Sequence, residues 1–185
     1  MATSADAKST FQAKSSGNFA VVYWDEVEDL GDSLRYTYGG IDAFGDRRVE
    51  LYGYLDIATC LKEVPEETDP CTYEYRYIYA DPAAVTLDVA KKNSAAALTG
   101  EVTLADDFGN EETVALDISL LGAGATIKST NSFTYRDSDG VRFSVRSSQT
   151  GRAATASGSI GDIELPESAA GEFGTYRQME REMLP

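Results

Sequence analysis

Apolar and polar residues alternate with a period of two from about residue 18 to residue 160. Val49 and Leu51, for example, fall on one side of an extended segment, whereas Tyr52 and Tyr54 fall on the other. Clusters of Asp, Gly, Asn and Ser separate such segments, as they do in antiparallel sheets. The pattern predicts an all-β fold: a single antiparallel domain of about 8–10 strands, either a β-sandwich or a closed β-barrel.

The two ends of the chain differ from its middle. Residues 1–16 are small and polar, which predicts a flexible N-terminal segment, with an extension of a sheet edge as the alternative, and residues 17–185 are expected to form the single all-β domain. Residues 152–165 are mostly tiny, which is compatible with a strand lying close to bulky side chains. Residues 175–185 are compatible with one or two helical turns or with a final strand.

The short sequence RDSDGV predicts a hairpin turn, and the facing of the apolar residues decides its register. A three-residue turn formed by residues 138–140 pairs Tyr135 with Phe143 on one face. It also places Gly140 at the left-handed position of a type I turn followed by a G1 bulge. We therefore predict the three-residue turn.

Cys60 and Cys71 are the two cysteines of the chain, and they are either two thiols in a reducing compartment or one disulfide in an oxidising one. If they are bonded across neighbouring antiparallel strands, the register sets Tyr54 opposite Tyr77 and Asp56 opposite Tyr75. The spacing of the cysteines and the alternation of the tyrosines then agree on one register.

This register gathers six tyrosines on the face that carries the disulfide. They are Tyr52, Tyr54, Tyr73, Tyr75, Tyr77 and Tyr79. Tyrosine has a large apolar body and a polar tip, so it suits a packing layer, the lining of a cavity and an exposed platform for a ligand or partner. All three interpretations remain open at this point.

Charge and composition limit the chemistry. The net charge of −15 disfavours nucleic acid and anionic membrane surfaces, and it favours either colloidal stability or a cationic partner. Histidine is absent, which excludes Ser–His and Cys–His nucleophiles and histidine-built zinc sites. Catalysis would have to use carboxylates, tyrosine, lysine or arginine. We assign no catalytic residue, no metal and no cofactor, and we favour a non-enzymatic protein.

Acidic clusters at residues 106–112 and 137–140 suggest calcium binding as an alternative to turn formation. Neither cluster has EF-hand spacing, and Asp, Asn and Gly are the residues that turns require, so turns are the preferred interpretation. Trp24 beside Asp25 is similarly compatible with a sugar-facing surface, although a buried tryptophan at a strand end is favoured.

Four arginines occur close together in this acidic chain: Arg136, Arg142, Arg146 and Arg152. The predicted hairpin sets Arg136 opposite Arg142, a like-charge pair that requires an intervening anion or carboxylate. The cluster therefore predicts one of two arrangements. It is a solvated face neutralised by acids of a neighbouring strand or subunit, or it is a site for an anionic ligand or an acidic partner surface.

We expect a secreted or cell-surface β domain that acts by binding or by structure through its disulfide-anchored tyrosine-rich face. One alternative is a β-barrel whose tyrosine-lined cavity holds a small apolar or aromatic ligand, with catalysis by tyrosine and carboxylates as an option. A third is an acidic inhibitor or immunity-type protein. The expected partner is an unidentified protein or small molecule, without nucleic acid or membrane insertion, and a homo-oligomer is compatible.

An extracellular location is an expectation with one condition. The opening residues lack the basic and apolar regions of a secretion signal, so this location assumes that a signal has been removed.

Overall fold

The computed structural model describes residues 12–63 and 70–183, which form eleven antiparallel strands and one 3-10 turn, Lys91–Asn93. The strands are β1 (Gln12–Asp29), β2 (Ser33–Gly45), β3 (Val49–Leu61), β4 (Cys71–Tyr79), β5 (Val85–Val89), β6 (Ala95–Asp106), β7 (Glu111–Gly122), β8 (Ile127–Arg136), β9 (Arg142–Ile160), β10 (Ile163–Glu164) and β11 (Ala170–Met183). The predicted all-β antiparallel fold is confirmed.

Eight of these strands close into a barrel, in the order β1, β2, β3, β4, β6, β7, β9 and β11, and β11 pairs with β1 to complete the ring. The short strand β5 lies on the same edge of β6 as β4. It pairs with residues 96–100, whereas β4 pairs with residues 103–106. Of the two predicted architectures, the sheet therefore adopts the closed one, in which the ring itself leaves no open edge.

Alternate residues of the barrel strands point inward and form one apolar core, as their period of two requires. Its largest members include Trp24, Ile41, Leu51, Leu55, Ile78, Leu98, Ile118, Leu120 and Phe173. The indole ring of Trp24 lies directly against Gly39, where a Cβ atom would come within 2.2 Å of Cζ2. The glycine therefore makes the space that the largest core side chain occupies.

The longest strands extend beyond the barrel. β1 has 18 residues and so spans about 60 Å at about 3.3 Å per residue. Its residues 12–17 pair with β11 alone, and its residues 24–29 pair with β2 alone. The two ends of β1 therefore belong to two different extensions of the sheet.

The first extension, which we call the wing, has four strand segments. They are residues 12–17 of β1, the whole of β8, residues 142–151 of β9 and residues 174–183 of β11. Every residue of β8 is exposed, and the side of β8 away from β9 has no paired strand among the described residues. The wing thus consists of paired strands with little core of its own.

The second extension contains the ends of β1 to β4 and carries the disulfide. Cys60 and Cys71 are bonded, with their Cα atoms 4.0 Å apart. Tyr54 pairs with Tyr77 and Asp56 pairs with Tyr75. The predicted disulfide and register are both confirmed.

The turn between β8 and β9 also has the predicted geometry. Tyr135 pairs with Phe143, and Gly140 has φ of +79°. The Asp137 carboxylate accepts hydrogen bonds from the backbone N–H groups of Asp139 and Val141, at 3.0 and 2.8 Å, which stabilises the turn.

The ends of the chain are more regular than the composition suggested. Residues 152–160 belong to β9, in agreement with the strand interpretation, and residues 175–183 belong to the final strand rather than to a helix. Residues 12–16, expected to be flexible, are paired with β11. The rest of the expected flexible segment, residues 1–11, lies outside the described residues.

We expect Gly39→Ala to lower the free energy of unfolding by about 3 kcal/mol, because the new methyl group would overlap the buried Trp24 ring. The measurement is urea unfolding followed by the fluorescence of Trp24, the one tryptophan of the chain. Gly40→Ala is the matched control. Its methyl group would meet the half-exposed ring of Tyr54 at 3.2 Å, so the cost should stay below about 1 kcal/mol. Equal costs at the two positions would contradict this account of Gly39.

Replacing both cysteines by serine should lower the free energy of unfolding by about 2–3 kcal/mol, because the disulfide closes a short loop in the unfolded chain. The fold should persist, since the bond lies beyond the barrel core. Urea unfolding with and without reductant measures the effect, and the reduced wild type should match the double variant. Two reactive thiols in the unfolded, unreduced protein would refute the pairing.

Candidate functional site

The tyrosine row lies on the outside of the barrel. The side chains that alternate with the core residues of β1 to β4 point outward, and nine of the eleven tyrosines are among them. We call this surface the tyrosine face: Tyr23, Tyr36, Tyr38, Tyr52, Tyr54, Tyr73, Tyr75, Tyr77 and Tyr79. It includes all six predicted residues, and β1 and β2 add the other three.

Most of these rings are accessible from solvent. Tyr52 and Tyr73 are 63% and 68% exposed, whereas Tyr54 and Tyr75 are half-buried between their neighbours. The interior of the barrel is filled by aliphatic side chains together with Trp24 and Phe173 instead. The geometry is that of an open platform, and the rings do not line an enclosed cavity.

Contacts between the rings hold the centre of the tyrosine face together. The ring centroids of Tyr38 and Tyr54 lie 5.7 Å apart, and those of Tyr75 and Tyr77 lie 4.7 Å apart in an edge-to-face arrangement. The ring of Tyr54 also covers Gly40, its neighbour on β2. Because Gly40 has no side chain, Tyr54 lies flat enough to contact Tyr38.

Carboxylates accompany the tyrosines, but cations do not. Asp25, Asp42, Glu50 and Asp56 occupy outward positions on β1, β2 and β3 and are exposed. The outward positions of β1 to β4 from residue 21 onward hold no lysine or arginine. At the edge of the tyrosine face, the Tyr79 hydroxyl donates a hydrogen bond to Glu111 at 2.8 Å. The face is therefore aromatic and negatively charged.

Three hydroxyl groups of the tyrosine face have raised pKa values. Hydrogen bonding with Tyr38, followed by burial, raises the pKa of Tyr54 to about 12. Burial raises the pKa of Tyr75, and the hydrogen bond to Glu111 raises the pKa of Tyr79. These three hydroxyl groups therefore add no negative charge to the face at neutral pH.

A second surface has the opposite charge. One side of the wing carries seven cations, which we call the basic face: Lys14, Lys128, Arg136, Arg142, Arg146, Arg177 and Arg181. The positions on this side of the four strand segments hold no Asp or Glu. None of the seven forms an ion pair with a carboxylate in residues 12–63 and 70–183. In a chain of net charge −15, this is a strong local separation of charge.

An open groove of about 550 Å³ crosses the basic face. Lys14, Arg146 and Arg177 line it together with hydroxyl groups such as that of Thr130, and Met179 contributes an apolar surface. Asp46, from the turn between β2 and β3, borders the face beside Arg177. The groove can hold carboxylate, sulfate or phosphate groups, because guanidinium and ammonium groups converge on it.

Three of the four predicted arginines belong to this face, and the fourth does not. Arg136 pairs with Arg142 across the hairpin, as predicted. Arg146 lies on the same side of β9, four residues after Arg142. No acid of a neighbouring strand lies beside the pair within the described residues, so the predicted partners that are left are acids of another subunit, an anionic ligand or an acidic partner surface. Arg152 instead lies half-buried at the barrel end, where it donates a hydrogen bond to the Asn93 carbonyl at 3.4 Å.

The other side of the wing is aromatic and acidic. The rings of Tyr135 and Phe143 stack with their centroids 5.2 Å apart, and the Tyr135 hydroxyl donates a hydrogen bond to Glu180. That hydrogen bond raises the pKa of Tyr135. Val145, paired with Phe133, is buried on this side. These contacts stabilise the wing on the side opposite the basic face, and the basic face itself stays exposed.

The acidic loops serve as turns. The Asp106 carboxylate accepts hydrogen bonds from the backbone N–H groups of Phe108 and Asn110, and from the Asn110 side chain, at 2.7–2.9 Å, and these bonds lower its pKa. In the described part of the chain, no three His, Cys, Asp or Glu residues are arranged to hold a metal ion. Trp24 is fully buried, so it does not provide a sugar-stacking surface.

Residues from distant parts of the sequence complete both faces. Lys14, Arg177 and Arg181 reach the basic face from β1 and β11, and Tyr23 and Tyr38 reach the tyrosine face from β1 and β2. One signal was available for β11: residues 177–183 read RQMEREM, in which Arg and Met alternate with Gln and Glu. That alternation indicates a strand with one basic side.

Comparison with known protein families, curated protein sequences and solved structures gives no match for this chain. The class is therefore defined by the structure alone: an acidic, disulfide-bonded, antiparallel β domain with a closed barrel. No helix among the described residues is long and apolar enough to cross a membrane.

The raised pKa of Tyr54 should make part of the stability depend on pH in the alkaline range. The neutral hydroxyl is favoured in the folded state, so its contribution is complete below pH 10 and is lost as pH rises from 10 to about 12. We expect Tyr54→Phe to lose less stability than the wild type over this interval. Urea unfolding at each pH measures it, and NMR of ¹³Cζ-labelled tyrosine gives the titration directly. A Tyr54 signal that titrates near the ordinary tyrosine pKa of 10.0 would contradict the role of Tyr38.

Proposed function

We propose that this protein is a non-enzymatic extracellular binding domain whose tyrosine face binds a positively charged surface of a partner protein. The observation that carries the proposal is the composition of that face, which combines nine tyrosines with carboxylates and has no lysine or arginine at the outward positions of β1 to β4 from residue 21 onward. Arginine and lysine side chains can stack on tyrosine rings and pair with the adjacent carboxylates.

The exposure and the rigidity of the rings support this proposal. Exposed aromatic groups of this number are uncommon on a surface without a partner, and tyrosine is among the residues that contribute most to binding at interfaces. The face is built on paired strands, and the contacts of Tyr54 with Tyr38 and Gly40 hold its centre in place. Little conformational entropy is therefore lost when a partner binds.

The compartment is inferred from the disulfide. Cys60 and Cys71 form a bond in the structure, and such bonds persist in oxidising environments such as the cell exterior. The lack of histidine supports a binding rather than a catalytic role, because the commonest general base is missing.

The charge of the tyrosine face can be tested with a nona-arginine peptide as the probe. We expect Asp42→Asn combined with Asp56→Asn to weaken binding of the peptide about fivefold or more, because both carboxylates are exposed among the tyrosines. Glu164→Gln with Glu167→Gln is the matched control, since it removes the same charge from another part of the surface. Isothermal titration calorimetry at 150 mM salt measures the affinity.

The tyrosines give an independent test with the same probe. Tyr52→Ala and Tyr73→Ala should each weaken binding about fivefold, and the exposed Leu121→Ala should leave it unchanged. Both tyrosines are largely exposed, so the melting temperature should change little. Equal losses in the Asp42, Asp56 variant and in its Glu164, Glu167 control would show that only net charge attracts the peptide, and the proposal would be abandoned. Equal affinities of the two tyrosine variants and the Leu121 control would also contradict it.

A further inference from the structure

We propose that the basic face of one copy binds the tyrosine face of a second copy, so that the protein associates head to tail. This inference rests on the proposed function, because it names a second copy of this chain as a partner of the tyrosine face. It also gives the basic face a role that a separate basic partner would not explain.

The two faces are complementary in chemistry. The basic face presents five arginines, together with Met179 and Met183 on the same side of β11. The tyrosine face presents rings and carboxylates. A guanidinium group can stack on a tyrosine ring while it pairs with a neighbouring carboxylate, and a methionine can fill the remaining apolar contact.

The two faces of one copy cannot reach each other. The basic face uses even-numbered residues at the start of β1, such as Lys14, whereas the tyrosine face uses odd-numbered residues toward its end, such as Tyr23. The faces therefore point to opposite sides of the sheet and lie toward opposite ends of a strand about 60 Å long. Contact between them requires two molecules, and such a heterologous contact produces open chains or rings.

The size of the basic face indicates a weak association. Three strand segments of ten residues and one of six, about 4.8 Å apart and rising about 3.3 Å per residue, cover about 600 Å². A stable interface of standard size uses about 800 Å² of each partner. We therefore expect association that depends on protein concentration and that weakens at high salt.

The net charge of the chain favours a second copy over an anionic polymer. A polyanion is repelled by the net charge of −15 and offers no apolar surface to Met179 and Met183. A second copy has the same net charge, but at 150 mM salt its distant charges are screened within about 8 Å, whereas contacting pairs are screened less. The second copy also supplies the aromatic rings that arginine and methionine contact favourably.

Two full-length variants with complementary defects test the proposal. Arg146→Glu with Arg177→Glu disables the basic face, and Asp42→Lys with Asp56→Lys disables the tyrosine face. All four residues are exposed, so the fold should persist, and circular dichroism and melting temperature check it. Sedimentation velocity at 150 mM salt measures the mass of each variant alone and of their equimolar mixture.

We expect the wild type to form concentration-dependent oligomers, each variant alone to be monomeric, and the mixture to form a dimer. One intact face remains on each molecule of the mixture, so a single contact can form. Lys91→Glu with Lys92→Glu changes the net charge as much as the basic-face variant but lies in the 3-10 turn, and it should associate like the wild type. At 1 M salt the dimer should dissociate at least tenfold more readily.

A monomeric mixture would overturn the proposal. If the mixture is monomeric and the Asp42→Lys, Asp56→Lys variant is also retained on a sulfated polysaccharide, the proposal is overturned in favour of an anionic polymer as the partner of the basic face. Either outcome would be distinct from failure of the proposed function: nona-arginine binding that still depends on Asp42 and Asp56 would leave the tyrosine face as a binding surface for a different basic partner.

Discussion

The rest of the structure depends on how β1 is hydrogen-bonded. Its two neighbouring strands pair with different, partly overlapping lengths of β1. β11 pairs with residues 12–23 and β2 with residues 18–29, so the central residues alone have partners on both sides. That overlap closes the barrel, and the displacement of the two neighbours along β1 is the stagger that strands of a closed barrel require. The same displacement leaves an unmatched length of β1 at each end, and both sheet extensions begin there.

Strict alternation along these strands then separates the charges. Arg177 and Arg181 lie on one side of β11, and Glu180 and Glu182 lie on the other, although the four residues are close in sequence. A helix over the same residues would have mixed the two signs on one surface. An acidic chain can therefore present a basic surface without any change in its net charge, because the sheet sorts neighbouring residues to opposite sides.

Local constraints explain which parts of the fold could be predicted from the sequence. The disulfide determines the register of β3 and β4, and Gly140 determines that of β8 and β9, so both hairpins follow from residues near the turns. Pairing of β1 with β11 joins the two ends of the chain, and no turn or disulfide specifies it. Lys14 and Arg181 could not be assigned to the basic face without that pairing, whereas Tyr77 and Arg142 could be assigned to their faces.

The wing differs from the barrel in how its structure is maintained. Its strands are paired, but outside Val145 and the rings around it few side chains are buried, while the barrel contains the continuous core. Elements with few buried contacts open at a lower free energy than the core to which they are attached. The wing can therefore undergo sub-global opening, with rapid amide exchange, while residues 18–23 of β1 remain hydrogen-bonded on both sides and the barrel stays closed. The protein thus combines one slowly exchanging unit with one that can reorganise on contact with another surface.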